Sequence, residues 1–223
     1  MYLLFILKAF AFISFIFISF RLLSLEFLCT IAERPRPTTI SNFKLVLYTK
    51  TWQNRLIMRI DYKARLDEAN SLPDIFEVVK SLVFCSTGKS RGGLMLGIAN
   101  LGNHPQGFFG GFFTTGSNVI VLNKIPLQRI KETRPELYKP YVFHVMLHEY
   151  IHSLGYLDEE DVRTRVHQIT RDALGEDHLA TQIAADTGSF IKHLAYPDIS
   201  WKPEDTGLEL VKGFDRSSVS YIA

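Results

Sequence analysis

Apolar positions along the chain change their period several times. From Leu72 to Leu82 they recur at Ile75, Val78, Val79 and Leu82, the spacing of one helical face, and Pro73 sits where a helix tolerates proline best, in its first turn. "FKLVLYTKTW" (43–52) and "RLIMRIDY" (55–62) carry β-branched and aromatic residues at mixed spacing and read as strands. From Gly88 to Gly116, apolar pieces alternate with glycines, as in "RGGLMLGIANLG" and "GFFGGFFTTGSN". That pattern predicts short strands and turns where backbone comes close to other groups. "NVIVLN", Asn118 to Asn123, is the clearest strand. Pro126 to Tyr138 is polar and reads as a helix, and Pro140 opens the next one. Helices from Asp158 to about Leu174 and from about His178 to Leu194 follow, and the tail with Pro197 and Pro203 reads as irregular. No internal repeat is present.

The helix expected over Tyr141–Leu154 is apolar nearly all round, which marks it as buried. Gly155 stops it. Its polar exceptions are His144, His148, Glu149 and His152. Burying such groups is costly unless they are paired or bind a metal. His148 and His152 share one face, roughly 6 Å apart at Cβ. Two imidazoles at that spacing can reach one ion at about 2.0–2.1 Å, the zinc–nitrogen distance. Glu149 is rotated by about 100° from His148 and is placed to act as a general base on a water at the metal.

Composition narrows the picture. Of the 223 residues, 47% are hydrophobic and 22% charged, enough for one globular core once the N-terminus is set aside. The net charge of +2 gives no footprint for nucleic acid. Cys29 and Cys85 imply no disulfide framework. Residues 1–32 form a hydrophobic leader whose only charges are Lys8, Arg21 and Glu26. Its apolar stretch from Met1 to Phe20 gives about 20 residues, enough to span a bilayer. It reads as a signal anchor, as a cleaved signal peptide ending near Ala32, or as an over-called start, with Met58 as the later one. An anchor would place the protein at a membrane, and an over-called start would leave it cytoplasmic. Residues 33–57 hold a Pro-rich linker and strands, and residues 58–223 form the domain.

His148-Glu149-Tyr150-Ile151-His152 is an H-E-x-x-H motif on an expected helix, with Gly155 and Asp158 following at three-residue steps. This stretch resembles the extended motif of zinc metallopeptidases of the zincin group. It is closest to the metzincin pattern, but no methionine follows Met146 to form the methionine turn of that pattern. The resemblance implies an α+β, zincin-like fold: a small twisted mixed sheet, with Asn118–Asn123 as the edge strand that holds substrate, packed on the metal helix, and further helices C-terminal. It implies Zn2+ held by His148, His152 and Asp158, Glu149 as the catalytic base, and a peptide or protein substrate. Asp158 also suits the N-cap of the next helix, with Asp161 three residues on. Glu159, Glu160 and His178 are the alternative third ligands. A non-catalytic, metal-stabilised interaction protein, tethered by residues 1–31, is the alternative function; its zinc would be closed by four protein ligands.

The remaining candidates carry less. His144 sits one turn before His148 and drifts about 40° off the metal axis, so it reads as support or core. Tyr150 reads as packing, and Tyr156 as a candidate to steady a tetrahedral intermediate. "STGKS", Ser86–Ser90, lacks the first glycine of a phosphate loop, since position 83 is Val83. The Gly107–Gly116 stretch reads as a flap over the cleft or a set of tight turns.

Overall fold

The computed structural model describes residues 60–102, 110–194 and 207–218. The leader, the linker and the strand expected at 43–52 lie outside the described residues, as do positions 103–109 of the glycine-rich stretch. Among the described residues, no helix is long and apolar enough to cross a membrane.

Where the strand expected over 55–62 should end, a helix begins instead. Asp61 caps α1 (Tyr62–Glu68), its side chain accepting from the Ala64 amide at 2.9 Å. A cap of this kind decides the local structure over β-propensity. Helix α2 (Leu72–Thr87) starts as expected: the Ser71 hydroxyl accepts from the Asp74 amide, and Pro73 lies in the first turn. It ends at Gly88, whose φ of 69° is left-handed. "STGKS" is therefore the end of a helix and its turn, not a phosphate loop.

The strands β1 (Met95–Ala99), β2 (Gly111–Phe113), β3 (Val119–Asn123) and β4 (Glu209–Leu210) form a small mixed sheet in the order β2-β3-β1-β4. β1 and β3 run parallel, from Met95 opposite Val119 to Ala99 opposite Asn123. β2 and β3 form an antiparallel hairpin with Phe112 opposite Val121, and β4 adds to β1 antiparallel. The expected edge strand at Asn118–Asn123 is thus an interior strand, and the edges are β2 and β4. The physical reason is in the run itself. Val119–Asn123 is apolar without alternation and buried at Ile120, Val121 and Leu122, the pattern of a strand covered on both faces.

After β3 the chain forms α3 (Lys124–Thr133), a single 3-10 turn (Pro135–Leu137) and α4 (Tyr138–Ser153). Pro140 lies in the first turn of α4, where its missing N–H has no helical partner to lose. Then come α5 (Glu159–Leu174), α6 (Leu179–Ala185), a second 3-10 turn (Thr187–Phe190) and α7 (Ile191–Leu194). The single helix expected from His178 to Leu194 is broken. Asp186 turns its carboxylate to the Ser189 amide at 3.2 Å, a local bond that competes with the helical one.

Helix α4 is central. It packs on α2, lies against β2 and β3, and is covered by α5 and α6. Phe143, Met146, Leu147, Tyr150 and Ile151 are fully buried. Each such apolar side chain stabilises the fold by about 1.5–3 kcal/mol. The architecture is a mixed α/β one, with the edge strand β2 packed on the helix that carries the histidines and further helices C-terminal to it.

Candidate metal centre

Helix α4 delivers His148 and His152 to one face, half-buried, with ring centroids 4.8 Å apart. Gly155, at φ 95°, then turns the chain through a conformation few other residues adopt. The turn has two consequences. It brings the Tyr156 carbonyl oxygen within 2.8 Å of His152 Nδ1. A carbonyl only accepts, so Nδ1 carries the proton and Nε2 is left with its lone pair. It also starts α5 so that Glu159, at its first position, reaches back to both histidines.

The result is a triangle of donor atoms. His148 Nε2 and His152 Nε2 are 3.1 Å apart, and the two Glu159 oxygens lie 3.2 Å from one each. Taking one atom from each residue, all three lie within 4.8 Å of one another, the neighbourhood in which one ion held at about 2.0–2.1 Å by each would sit. Among the described residues, this is the group of histidine, cysteine and acidic side chains that could hold a metal.

The structure does not bring Asp158 to the histidines. Its carboxylate caps α5, accepting from the Asp161 amide at 2.7 Å. Among the described residues it is Glu159, not Asp158, that stands with the two histidines. His178 is likewise a cap, its Nδ1 accepting from the Ala180 amide at 3.1 Å, and it lines a separate hollow. Glu160 is exposed and outside the group. If the cluster holds zinc, Glu159→Ala should weaken its binding at least about tenfold, the effect of removing a ligand. Asp158→Ala should keep zinc and lower stability by about 1 kcal/mol. Zinc titration and urea unfolding of the two variants check this, and the opposite pattern would restore Asp158 as the ligand.

Glu149 lies beside the triangle, buried at 6% exposure. Burial pushes its carboxyl up to about 8, the Glu159 charge adds to this, and a hydrogen bond from the Phe113 backbone opposes it. Burial also lowers His148 below its ordinary value, against the pull of Glu159. Burial resists ionisation of Glu159 too, but His148, Arg163 and His152 together hold its carboxyl below the usual range. Arg163 does so by direct contact, its Nε 3.2 Å from Glu159 Oε1.

These groups line one cleft of about 940 Å³, open to solvent, between β2 and the α5–α6 side of α4. Phe112 and Leu157, two of the exposed large apolar residues, stand on it. Tyr156 is not among the residues that line this cleft. Its ring lies between Lys89 and Arg165, and its hydroxyl accepts from Lys89 at 3.0 Å. Tyr150 packs as expected, edge-on to Phe76, its hydroxyl tied to the Arg91 backbone. Arg91 in turn secures the end of α4, donating to the Ser153 carbonyl at 2.7 Å and to Ser117 and Asn118 across the β2–β3 turn. Sequence reasoning expected short strands in this glycine-rich stretch but missed that one of them, β2, would be the edge beside the histidine helix. It also passed over Tyr141, which lines the cleft two turns before His148. A scan of the chain against protein-family models finds no match, and searches of curated proteins and of solved structures find no similar protein.

Proposed function

We propose that the protein is a zinc-dependent peptidase that hydrolyses peptide bonds with Glu149 as general base. One observation carries the reading. His148, His152 and Glu159 each offer a ligand atom within 4.8 Å of the others, and the buried Glu149 and a sheet edge stand beside them in the same cleft. Catalytic zinc sites use three protein ligands, structural ones four. Among the described residues no fourth histidine, cysteine or acidic atom joins the group, which argues against the closed, non-catalytic site.

Zinc held by His148, His152 and Glu159 would supply Lewis acidity to a carbonyl and make a water acidic enough to attack near neutral pH. A cation held by the cluster would favour the ionised form of Glu149 against its burial, and in that form Glu149 accepts the proton of that water and returns it to the leaving amine. An extended peptide chain has a partner in the edge of β2, which pairs with no other strand on that side among the described residues and whose backbone can take an added strand. The carboxylate that would work on the scissile bond is held to that strand through Phe113.

The test is elemental analysis and hydrolysis of a mixed peptide pool by the full chain beside its His148→Ala/His152→Ala variant. Zinc at one ion per chain with hydrolysis, both lost in the variant, is the expected result. A folded parent chain that takes up no zinc when it is supplied would leave a buried helix with histidines, and no enzyme.

A further inference from the structure

The turn between α4 and α5 carries part of the histidine–glutamate cluster at each end. His152 stands in the last turn of α4, Glu159 opens α5, and residues 154–158 join the two helices. The middle of this turn has little backbone support. The Gly155 amide donates to the His152 carbonyl at 2.9 Å, and the Val162 amide to that of Asp158 at 3.0 Å. Among the described residues, neither Tyr156 nor Leu157 has a hydrogen bond from its backbone to another backbone group. Gly155 adds freedom, because a residue without Cβ has the widest choice of conformations. The Leu157 side chain is 67% exposed. The anchor left to the middle of the turn is the side chain of Tyr156.

That side chain is held from two elements. Tyr156 is partly buried and packs against the core. Lys89, just past the end of α2, donates to its hydroxyl at 3.0 Å and has its ammonium 4.6 Å from the ring centre. Arg165, in the second turn of α5, brings its guanidinium to 4.3 Å from the same centre. It is itself held to Asp161, Nε to carboxylate at 2.9 Å. Cations within about 6 Å of an aromatic face are drawn to the negative charge of its π-system. Two cations repel each other, so the ring they share is what brings both here. The residue whose ring is held in this way is the one whose carbonyl oxygen lies 2.8 Å from His152 Nδ1. Only a few bonds separate ring and carbonyl, so fixing the first limits where the second can go. The carbonyl decides which ring nitrogen is bare. With the proton on Nε2 instead, the lone pair that faces His148 and Glu159 would be lost.

Resting on the metal centre of the peptidase reading above, we propose that Tyr156 is a positioning residue: clamped by Lys89 and Arg165, it holds its own carbonyl on His152 Nδ1 and so keeps Nε2 free to bind the ion. It acts from outside the cleft, through its backbone. A ligating histidine depends on the partner of its other ring nitrogen, and loss of such a partner lowers metal affinity by about 10–100-fold.

The experiment reads His152 itself, without metal and without turnover. NMR of the ring nitrogens in the metal-free full chain reports which of them carries the proton, and zinc titration follows on the same samples. In the parent, His152 should be protonated at Nδ1. Tyr156→Phe keeps the ring, so it should keep that tautomer, with zinc affinity within about twofold of the parent's. Tyr156→Leu keeps apolar bulk but offers the cations no ring. Its His152 should become a mixture of the two tautomers, and zinc should bind at least about tenfold more weakly. Lys89→Met/Arg165→Met leaves Tyr156 in place and keeps both stems, and it should shift the tautomer in the same direction. These two side chains stand at the surface, so this variant keeps the test open if Tyr156→Leu fails to fold. A parent His152 protonated at Nε2 overturns the clamp outright. Equal tautomers and equal zinc affinity in Tyr156→Leu and Tyr156→Phe would mean that Tyr156 only fills space, and overturn it too. So does a His152 that stays protonated at Nδ1 in the Lys89→Met/Arg165→Met chain. A parent that takes up no zinc overturns the peptidase reading instead, and the tautomers still decide the clamp.

Discussion

Glu149→Gln should leave zinc content unchanged and lower peptide turnover by about 10²–10⁴-fold, the range that general acid–base groups contribute. The two halves of that result separate base from ligand. Glu149 is not one of the three converging atoms, so a neutral side chain in its place leaves His148, His152 and Glu159 as they are. Glutamine keeps the volume and can still accept from the Phe113 backbone, so β2 keeps its hold on the helix. What it cannot do is take a proton. Zinc analysis and turnover on the same sample make the check, and full activity in the variant would mean that another group moves the proton.

The same substitution has a second readout without metal. The carboxyl of Glu149 is raised from its ordinary 4.5 to about 8 in the folded chain, by burial first and the Glu159 charge second. A raised acid favours the folded state while it is protonated. Its contribution is therefore complete below about 4.5 and is lost as pH rises towards 8. Metal-free parent should lose stability to that titration over this window, and metal-free Glu149→Gln should not. Urea unfolding across the window checks it, and parallel profiles for the two proteins would mean that Glu149 ionises as freely folded as unfolded.

The chemistry of the site was legible where it depends on helical period. His148 and His152 are four apart, and the apolar run around them says the helix is buried, so their convergence follows from local geometry alone. The third member of the cluster was not legible, because after Gly155 the choice between Asp158 and Glu159 depends on which of two neighbours caps α5. Both are acids, and the cap bond to Asp161 decides it only once the turn is built. The sheet shows the same division. That Asn118–Asn123 is a strand follows from its composition, and its interior place could have been read from the lack of alternation. The partners β2 and β4 are three and two residues long, and only pairing in three dimensions defines them.

Lys80→Met should destabilise the chain by about 3–5 kcal/mol, the usual result of leaving one partner of a buried ion pair alone. Lys80 reaches from α2 to Asp215, with side chains only 10% and 2% exposed. The pair is well supplied with further bonds. Lys80 also donates to Ser217 at 2.9 Å and Ser218 at 2.7 Å, and Asp215 accepts from the Leu94 amide at 2.9 Å. This junction ties residues 215–218 to α2 and to the residue before β1. Beside it, Phe214 stacks on Phe76 at 4.0 Å, and Phe76 meets Tyr150 of α4 edge-on. The segment 214–218 thus supports the helix that carries the histidines from behind, far in sequence from the motif. With Lys80 gone, the Asp215 charge stays buried with amide and hydroxyl donors alone, too few to replace a cation. Asp215→Asn added to Lys80→Met removes that charge and keeps the Leu94 bond, so the double variant should recover much of the loss. Urea unfolding of parent, single and double variants measures the coupling. If the double variant is as unstable as the single one, the cost lies in the lost packing of the lysine stem and not in the stranded charge.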